Sequence, residues 1–170
     1  MLNKKEIRDL IEGKDLIENY INLEKQLTPN GVDLTVAKLS TFLKAGSLDF
    51  SNDERIIPEG EEVVLEKKNP EDKYGWWSLV PGSYKIKTNE IINLPNNLTA
   101  LAFSRTSILR MGCFSSHGVW DAGFSGKGEF LLSVQNPAGV KIKENARIAQ
   151  LVFFRVEKTT EYKGIHKHLT

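Results

Sequence analysis

An all-β sandwich or barrel is the fold this sequence predicts, and three observations predict it. Val32, Leu34 and Val36 alternate with Asp33, Thr35 and Ala37, the period of a half-buried strand. Strand-length runs then recur as far as residue 156. Turn clusters such as Asn69-Pro70-Glu71-Asp72, Pro81-Gly82, Pro95-Asn96-Asn97 and Asn136-Pro137-Ala138-Gly139 separate nearly all of the runs, and many short strands at such spacing build a sandwich or a barrel.

The first element is the exception. Asn3, followed three residues later by Glu6, forms a helix N-cap signature, and Ile7, Leu10 and Ile11 share one face before Gly13 ends the turn. Leu16, Ile17, Tyr20 and Ile21 have helical spacing between short neighbours, so that stretch stays open. Thr28-Pro29-Asn30-Gly31 is a turn that delivers the chain into the strand at residue 32. Further strands are predicted at 62–67, 76–80, 83–88, 97–103, 113–120, 129–135, 140–143 and 146–156, with the polar stretch 45–61 as a long surface loop. Ser104 to Gly112 follows a strand and has the pattern of a short helical turn closed by Gly112. One domain over residues 1–170 is expected, with 156–170 as a candidate C-terminal arm.

Composition removes several classes of function. With 170 residues, 40% hydrophobic and 26% charged, the chain has an ordinary globular balance, so neither disorder nor a disulfide-dense scaffold fits. Twenty-three Lys+Arg against 22 Asp+Glu leave a net charge of +1, which argues against holding polymeric nucleic acid by bulk electrostatics. The single Cys113 has no thiol partner for a disulfide or a thiolate metal site. No apolar run approaches a membrane span, and Met1-Leu2-Asn3-Lys4-Lys5-Glu6 turns charged too soon for a secretory signal. The expectation is a cytoplasmic protein without membrane contact.

Four segments carry polar groups that a plain strand does not need. Asp33 in Pro29-Asn30-Gly31-Val32-Asp33-Leu34 is either a turn-capping carboxylate or a ligand group. Arg105-Thr106-Ser107, with Arg110 further on, is either an N-cap with solvent-facing arginines or an anion cradle of backbone N–H groups, hydroxyls and guanidiniums. The run from His117 to Gly126 is either a plain hairpin or a site in which Asp121 presents a base and Phe124 a flat apolar surface. His117 has no second histidine near it, which favours a hydrogen-bonded strand residue over a metal ligand. Gln150, in Arg147-Ile148-Ala149-Gln150-Leu151, is a neutral amide in a strong strand that needs a partner, from the backbone or from a ligand.

In this order the four segments resemble the successive motifs of the dUTPase and dCTP deaminase superfamily. Leu79-Val80-Pro81-Gly82 and Ile91-Ile92-Asn93-Leu94-Pro95 sit where that superfamily carries similar words, and the amino-terminal helix with Leu27-Thr28-Pro29 is similar to its deaminase-like branch, the archaeal-type dUTPases included. The resemblance covers most of residues 2 to 156. It implies a distorted jelly-roll homotrimer with three active sites between subunits, each acting on a deoxynucleoside triphosphate with Mg2+ on the phosphates. Carried over by position, Asp121 activates the attacking water, Phe124 packs on the deoxyribose, and Arg105, Thr106, Ser107 and Arg110 bind phosphate. Asp33 and Gln150 support the phosphates and the metal-bound waters from the outer shell, and the strand from Phe114 to Val119 offers its backbone to the base.

The resemblance is not complete. Deaminases of the superfamily place a proton-shuttling glutamate ten residues beyond the motif aspartate, where this chain has Leu131. Glu129 lies on the same strand face but roughly 6–7 Å of strand rise away. Thr106 stands for the usual serine, His117 for a small residue, and no Gly-Ser-Thr-Gly tail follows Arg155. The tail instead carries the basic run Tyr162-Lys163-Gly164-Ile165-His166-Lys167-His168, either a solvated terminus or a flap over phosphates. The leading expectation is therefore a dUTP nucleotidohydrolase forming dUMP and pyrophosphate. The alternatives are a dCTP deaminase, alone or combined with hydrolysis, and a nucleotide-binding jelly roll without turnover.

Overall fold

The structure is a computed structural model, and it describes residues 1–165. His166, Lys167 and His168 of the basic tail lie outside the described residues. Helix α1 (Lys4–Lys14) starts as its sequence dictates, with the Asn3 side chain accepting from the Glu6 N–H and the Glu6 carboxylate accepting from the Asn3 N–H. It does not stop at Gly13. It runs one residue further, and Asp15, at φ 52°, supplies the left-handed cap and donates its N–H to the Leu10 carbonyl. Ile7 and Ile11 are buried beneath the helix.

The open stretch resolves into a two-residue strand, β1 (Ile17–Glu18), and is followed by a one-turn helix, α2 (Leu23–Gln26), capped by Asn22. The strands after it are β2 (Leu27–Thr28), β3 (Gly31–Ser40), β4 (Trp76–Leu79), β5 (Gly82–Asn93) and β6 (Leu98–Ser104). Helix α3 (Thr106–Arg110) precedes β7 (Cys113–Ser116), β8 (Ser125–Val134), β9 (Val140–Lys143) and β10 (Arg147–Arg155). Residues 62–67, expected as a strand, form only isolated bridges from Glu62 to Ser40 and from Glu66 to Trp76. Their alternation meets no continuous partner, and Val64 is left exposed.

The main sheet runs β6-β10-β3-β5-β8-β7, with β1 on β5 and β2 on β3, all antiparallel; β4 and β9 form a separate pair. Its two outer strands meet. Ser115 of β7 donates its N–H to Ser104 Oγ of β6 at 2.7 Å, and just beyond β7 Trp120 exchanges two backbone hydrogen bonds of 3.0 Å with Ala100. The sheet is thereby a nearly closed, jelly-roll-like barrel around Leu34, Ile86, Leu132, Leu151 and Phe153, as the sequence predicts. Among the described residues, no helix is long and apolar enough to cross a membrane.

Inside the barrel wall lies a polar cluster built on a carboxylate. Glu90, fully buried, accepts from Gln26 Nε2 at 2.7 Å, from the Thr35 N–H at 2.9 Å and from Thr35 Oγ1 at 2.5 Å. Burial pushes its carboxyl above the ordinary value of 4.5, against the pull of these donors. Gln26 Nε2 also donates to the Asp33 carbonyl at 2.9 Å, so the cluster ties α2 and β5 to β3 at the residue the motifs single out.

Candidate active site

Three antiparallel strands bring one group of the predicted residues together. Asp33 of β3 is the register partner of Gln150 of β10, and Gln150 is the partner of Phe103 of β6. Two residues past Phe103 the chain leaves β6, and the Arg105 N–H is held by the Ile148 carbonyl at 3.1 Å. Gly31 makes the close approach of β3 and β10 possible: a Cβ there would sit 2.4 Å from the Leu151 carbonyl oxygen. Gln150 Nε2 donates to Thr28 Oγ1 at 2.7 Å, a protein partner for the half-buried amide.

The Asp33 carboxylate, almost wholly buried, is held by two guanidiniums. Arg105 Nε lies 2.9 Å and Arg147 Nη1 3.2 Å from its Oδ2. Burial pushes the Asp33 carboxyl above its ordinary range, and the two arginines oppose that shift. Arg105 forms the N-cap of α3 with no side-chain capping bond, and Thr106, Ser107 and Arg110 are all exposed. This half of the site is cationic, with open hydroxyls and backbone donors, and it suits a polyphosphate.

A second group is brought together at the turn after Trp120. The Phe124 N–H donates to the Asp121 carbonyl at 3.1 Å, Gly123 adopts φ 78°, and Gly123 and Phe124 bracket Leu94 with backbone hydrogen bonds of 3.0 and 2.8 Å. The turn therefore has a tight left-handed corner, clamped to the chain before β6 and bridged through Trp120 to β6 itself. Asp121 is exposed, and among the described residues its carboxylate has no side-chain hydrogen bond or ion pair. Beside the turn opens a cavity of about 320 Å³, lined by Val119, Trp120, Phe124, Glu129, Leu131 and Tyr162 among others. Its size and apolar walls suit a nucleoside. Glu129 and Leu131 stand on its wall together, as two residues of one strand face must.

His117 is not placed to bind metal. Its ring lies 4.2 Å from that of Phe130 and 5.9 Å from that of Trp120, and its Nε2 meets Ser115 Oγ at 2.8 Å. Among the described residues its Nδ1 has no hydrogen-bond partner, and burial pushes its pKa down to about 4, so the ring is neutral at pH 7.

Two site residues were not singled out by sequence. Arg147 stood inside the fourth motif as a charged strand start, and nothing local tied it to Asp33. Tyr162 was one aromatic in a basic tail. In the structure the tail returns along the barrel, with Thr159 N–H on the Asn96 carbonyl at 3.1 Å and Tyr162 N–H on the Ala122 carbonyl at 2.9 Å. The Tyr162 ring then faces Phe124 at 5.9 Å and forms one wall of the cavity.

Known proteins share this sequence and fold. The family model described as dCTP deaminase-like matches residues 1–156. A Methanosarcina mazei protein named "Probable deoxyuridine 5'-triphosphate nucleotidohydrolase" is 40% identical over 171 aligned positions, covering 99% of this chain and 96% of that protein. A Methanocaldococcus jannaschii protein named "Deoxyuridine 5'-triphosphate nucleotidohydrolase" is 35% identical over 161, covering 93% and 99%. The crystal structure of 2'-deoxycytidine 5'-triphosphate deaminase from Agrobacterium tumefaciens shares the fold with a TM-score of 0.65 at 19% identity. That match covers 91% of this chain and 47% of the deaminase, so the chain spans about half of that protein's length.

Proposed function

The chain belongs to the dCTP deaminase-like family, and from that premise we propose that it is a dUTP nucleotidohydrolase, converting dUTP and water to dUMP and pyrophosphate. The observation that carries the choice of reaction is the cavity wall. Leu131 lines the nucleoside-sized cavity; by the resemblance it stands where the deaminases carry their proton-shuttling glutamate, and a leucine transfers no proton. The names of relatives that align along nearly the whole chain support the same choice.

In this reading the nucleoside lies in the cavity, with the deoxyribose on Phe124 and the base on the backbone of the Phe114 to Val119 segment, Val119 at its end. Arg105, Thr106, Ser107 and Arg110 take the triphosphate. Asp121 accepts a proton from a water whose oxygen attacks the α-phosphorus. The bond from that phosphorus to the bridging oxygen breaks, and pyrophosphate leaves. The free Asp121 carboxylate on a fixed turn suits a base.

Within one subunit the phosphate group and the nucleoside group stand on different elements of the barrel, joined by no side-chain hydrogen bond or ion pair among the described residues. A homotrimer in which the arginines of one subunit complete a neighbour's site accounts for that separation. Mg2+ fits the residues as a cation carried by the substrate. Among the described residues no cluster of three or more His, Cys, Asp or Glu is placed to hold it. In this reading Gln150, whose amide nitrogen is taken by Thr28 and whose carbonyl oxygen is unengaged among the described residues, would meet its waters. A divalent cation bound there would supply charge neutralisation for the leaving pyrophosphate.

The test is to incubate the purified protein with Mg2+ and each of dUTP, dCTP, dTTP and UTP and identify the products. Conversion of dUTP alone to dUMP and pyrophosphate is the expected result. Formation of dUTP from dCTP would replace this reading by deamination, and no product from any of the four would leave only a binding protein.

A further inference from the structure

Resting on the phosphate-binding role assigned above to Arg105, we propose that Asp33 is a positioning residue. It clamps Arg105 and Arg147 into one guanidinium pair that meets the polyphosphate, and it does not hold a hydrated cation.

Three observations carry this. The Asp33 side chain is 3% exposed, against 27% for Arg105 and 40% for Arg147, so its oxygens lie behind the arginines that reach solvent. An outer-shell metal group must present an open oxygen to a hydrated ion, and here Oδ2 receives both guanidiniums. Each arginine is also fixed from a second side. Arg105 Nη1 donates to the Arg147 carbonyl at 3.1 Å, and Arg147 Nη1 to the Lys25 carbonyl at 2.5 Å. A carboxylate on the Nε edge of Arg105 fixes the guanidinium plane and turns the remaining Nη group outward, the orientation in which a planar fork binds phosphate oxygens. Two positive charges around one negative leave a local excess of +1, which attracts polyphosphate and repels a cation.

The proposal separates from the metal role in two variants, Asp33→Asn and Arg147→Met, compared with the wild-type protein. Calorimetry with tripolyphosphate in EDTA reads the arginines without metal and without turnover; assays with dUTP read KM, kcat and the half-saturating Mg2+ concentration. Asp33→Asn is expected to weaken metal-free tripolyphosphate binding at least tenfold and to raise KM for dUTP by a similar factor. The affinity for dUMP and the half-saturating Mg2+ should stay within twofold. Arg147→Met, at the more exposed of the two arginines and with Arg105 still beside Asp33, should reproduce the pattern even if the Asn variant fails to fold. Unchanged or tighter tripolyphosphate binding in either variant, or a rise in half-saturating Mg2+ with KM unmoved, overturns the proposal, as does a wild-type protein that does not bind tripolyphosphate. Wild-type protein that binds tripolyphosphate but turns over no dUTP would sink the proposed function and leave the clamp standing.

Discussion

Asp121 and Leu131 lie ten positions apart, and the choice of chemistry rests on that pair. Asp121→Asn keeps the shape of the side chain and removes its basicity, so nucleotide affinity and the thermal unfolding midpoint should hold while kcat falls by about 10²–10⁴-fold. Near-normal kcat in that variant takes the base role away from Asp121. Leu131 makes a separate prediction: dCTP yields neither dUTP nor dUMP, because the leucine at the position where the deaminases carry their glutamate can move no proton to the cytosine ring or to the leaving ammonia. Chromatography of the products detects either nucleotide, and their appearance would mean that Glu129 has taken over the transfer. Inefficient hydrolysis of dCTP to dCMP is also expected, since cytosine reverses the donor and acceptor that backbone groups matched to uracil would present. His117 titrates in a different window. Its folded pKa of about 4 lies below the ordinary 6.5, so the unfolded chain binds the extra proton between those values, and the stability that the neutral ring contributes is lost as pH falls through them. Urea unfolding at pH 7, 6, 5 and 4 should show a smaller loss of stability in His117→Leu than in the wild type, and parallel curves would contradict the buried neutral ring.

Strands whose alternation faces a partner throughout were visible in the sequence, and the exceptions have physical causes. β9 matches its expected limits, and β8 and β10 agree with theirs save at their ends. β5 runs five residues beyond the expected Thr88, through a bulge where the register shifts between Lys87 and Ile91; burial alternates unbroken across it, but the buried positions there, Thr88 and Glu90, are polar and carry no apolar signal. Glu90 lies within that bulge, and a glutamate in Thr88-Asn89-Glu90-Ile91 has no local sign of burial. Its partners Gln26 and Thr35 are 64 and 55 residues away. Asp33 shows the same limit in the site, since the motif marks the carboxylate while Arg147 comes from 114 positions further on. The buried Glu90 yields a prediction at this scale. With its folded pKa above the unfolded one, the contribution of the protonated carboxyl is fully present below pH 4.5 and is lost as pH rises through the folded value. The stability of the wild type relative to Glu90→Gln should therefore fall as pH climbs from 4 to 7 in paired denaturant titrations. A constant difference would show that the donors of Gln26 and Thr35 cancel the effect of burial on the carboxyl, and a rising one that they outweigh it.

At the scale of the whole molecule, the barrel divides its chemistry. The β3-β10-β6 side carries the cationic group, and β8 with the loop from Gly118 to Phe124 carries the cavity. An assembly that shares sites should scatter light as a particle of about three times 19.2 kDa, and a fully active monomer would rule that arrangement out.

The pairing of β3 with β10 also bears on how the chain is born. Residues 41 to 146 separate the two strands, and at a synthesis rate of about 5–20 residues per second they take roughly 5 to 20 s to emerge from a ribosome. Throughout that interval the edge of β3 that will receive β10 is open, and Asp33 has neither arginine beside it until Arg105 appears. The nascent chain thus carries an unpaired apolar strand edge from the synthesis of β3 until β10 closes it. Pulse-labelled chains truncated before residue 147 are the ones expected to be held by chaperones, while chains that include β10 should be released folded.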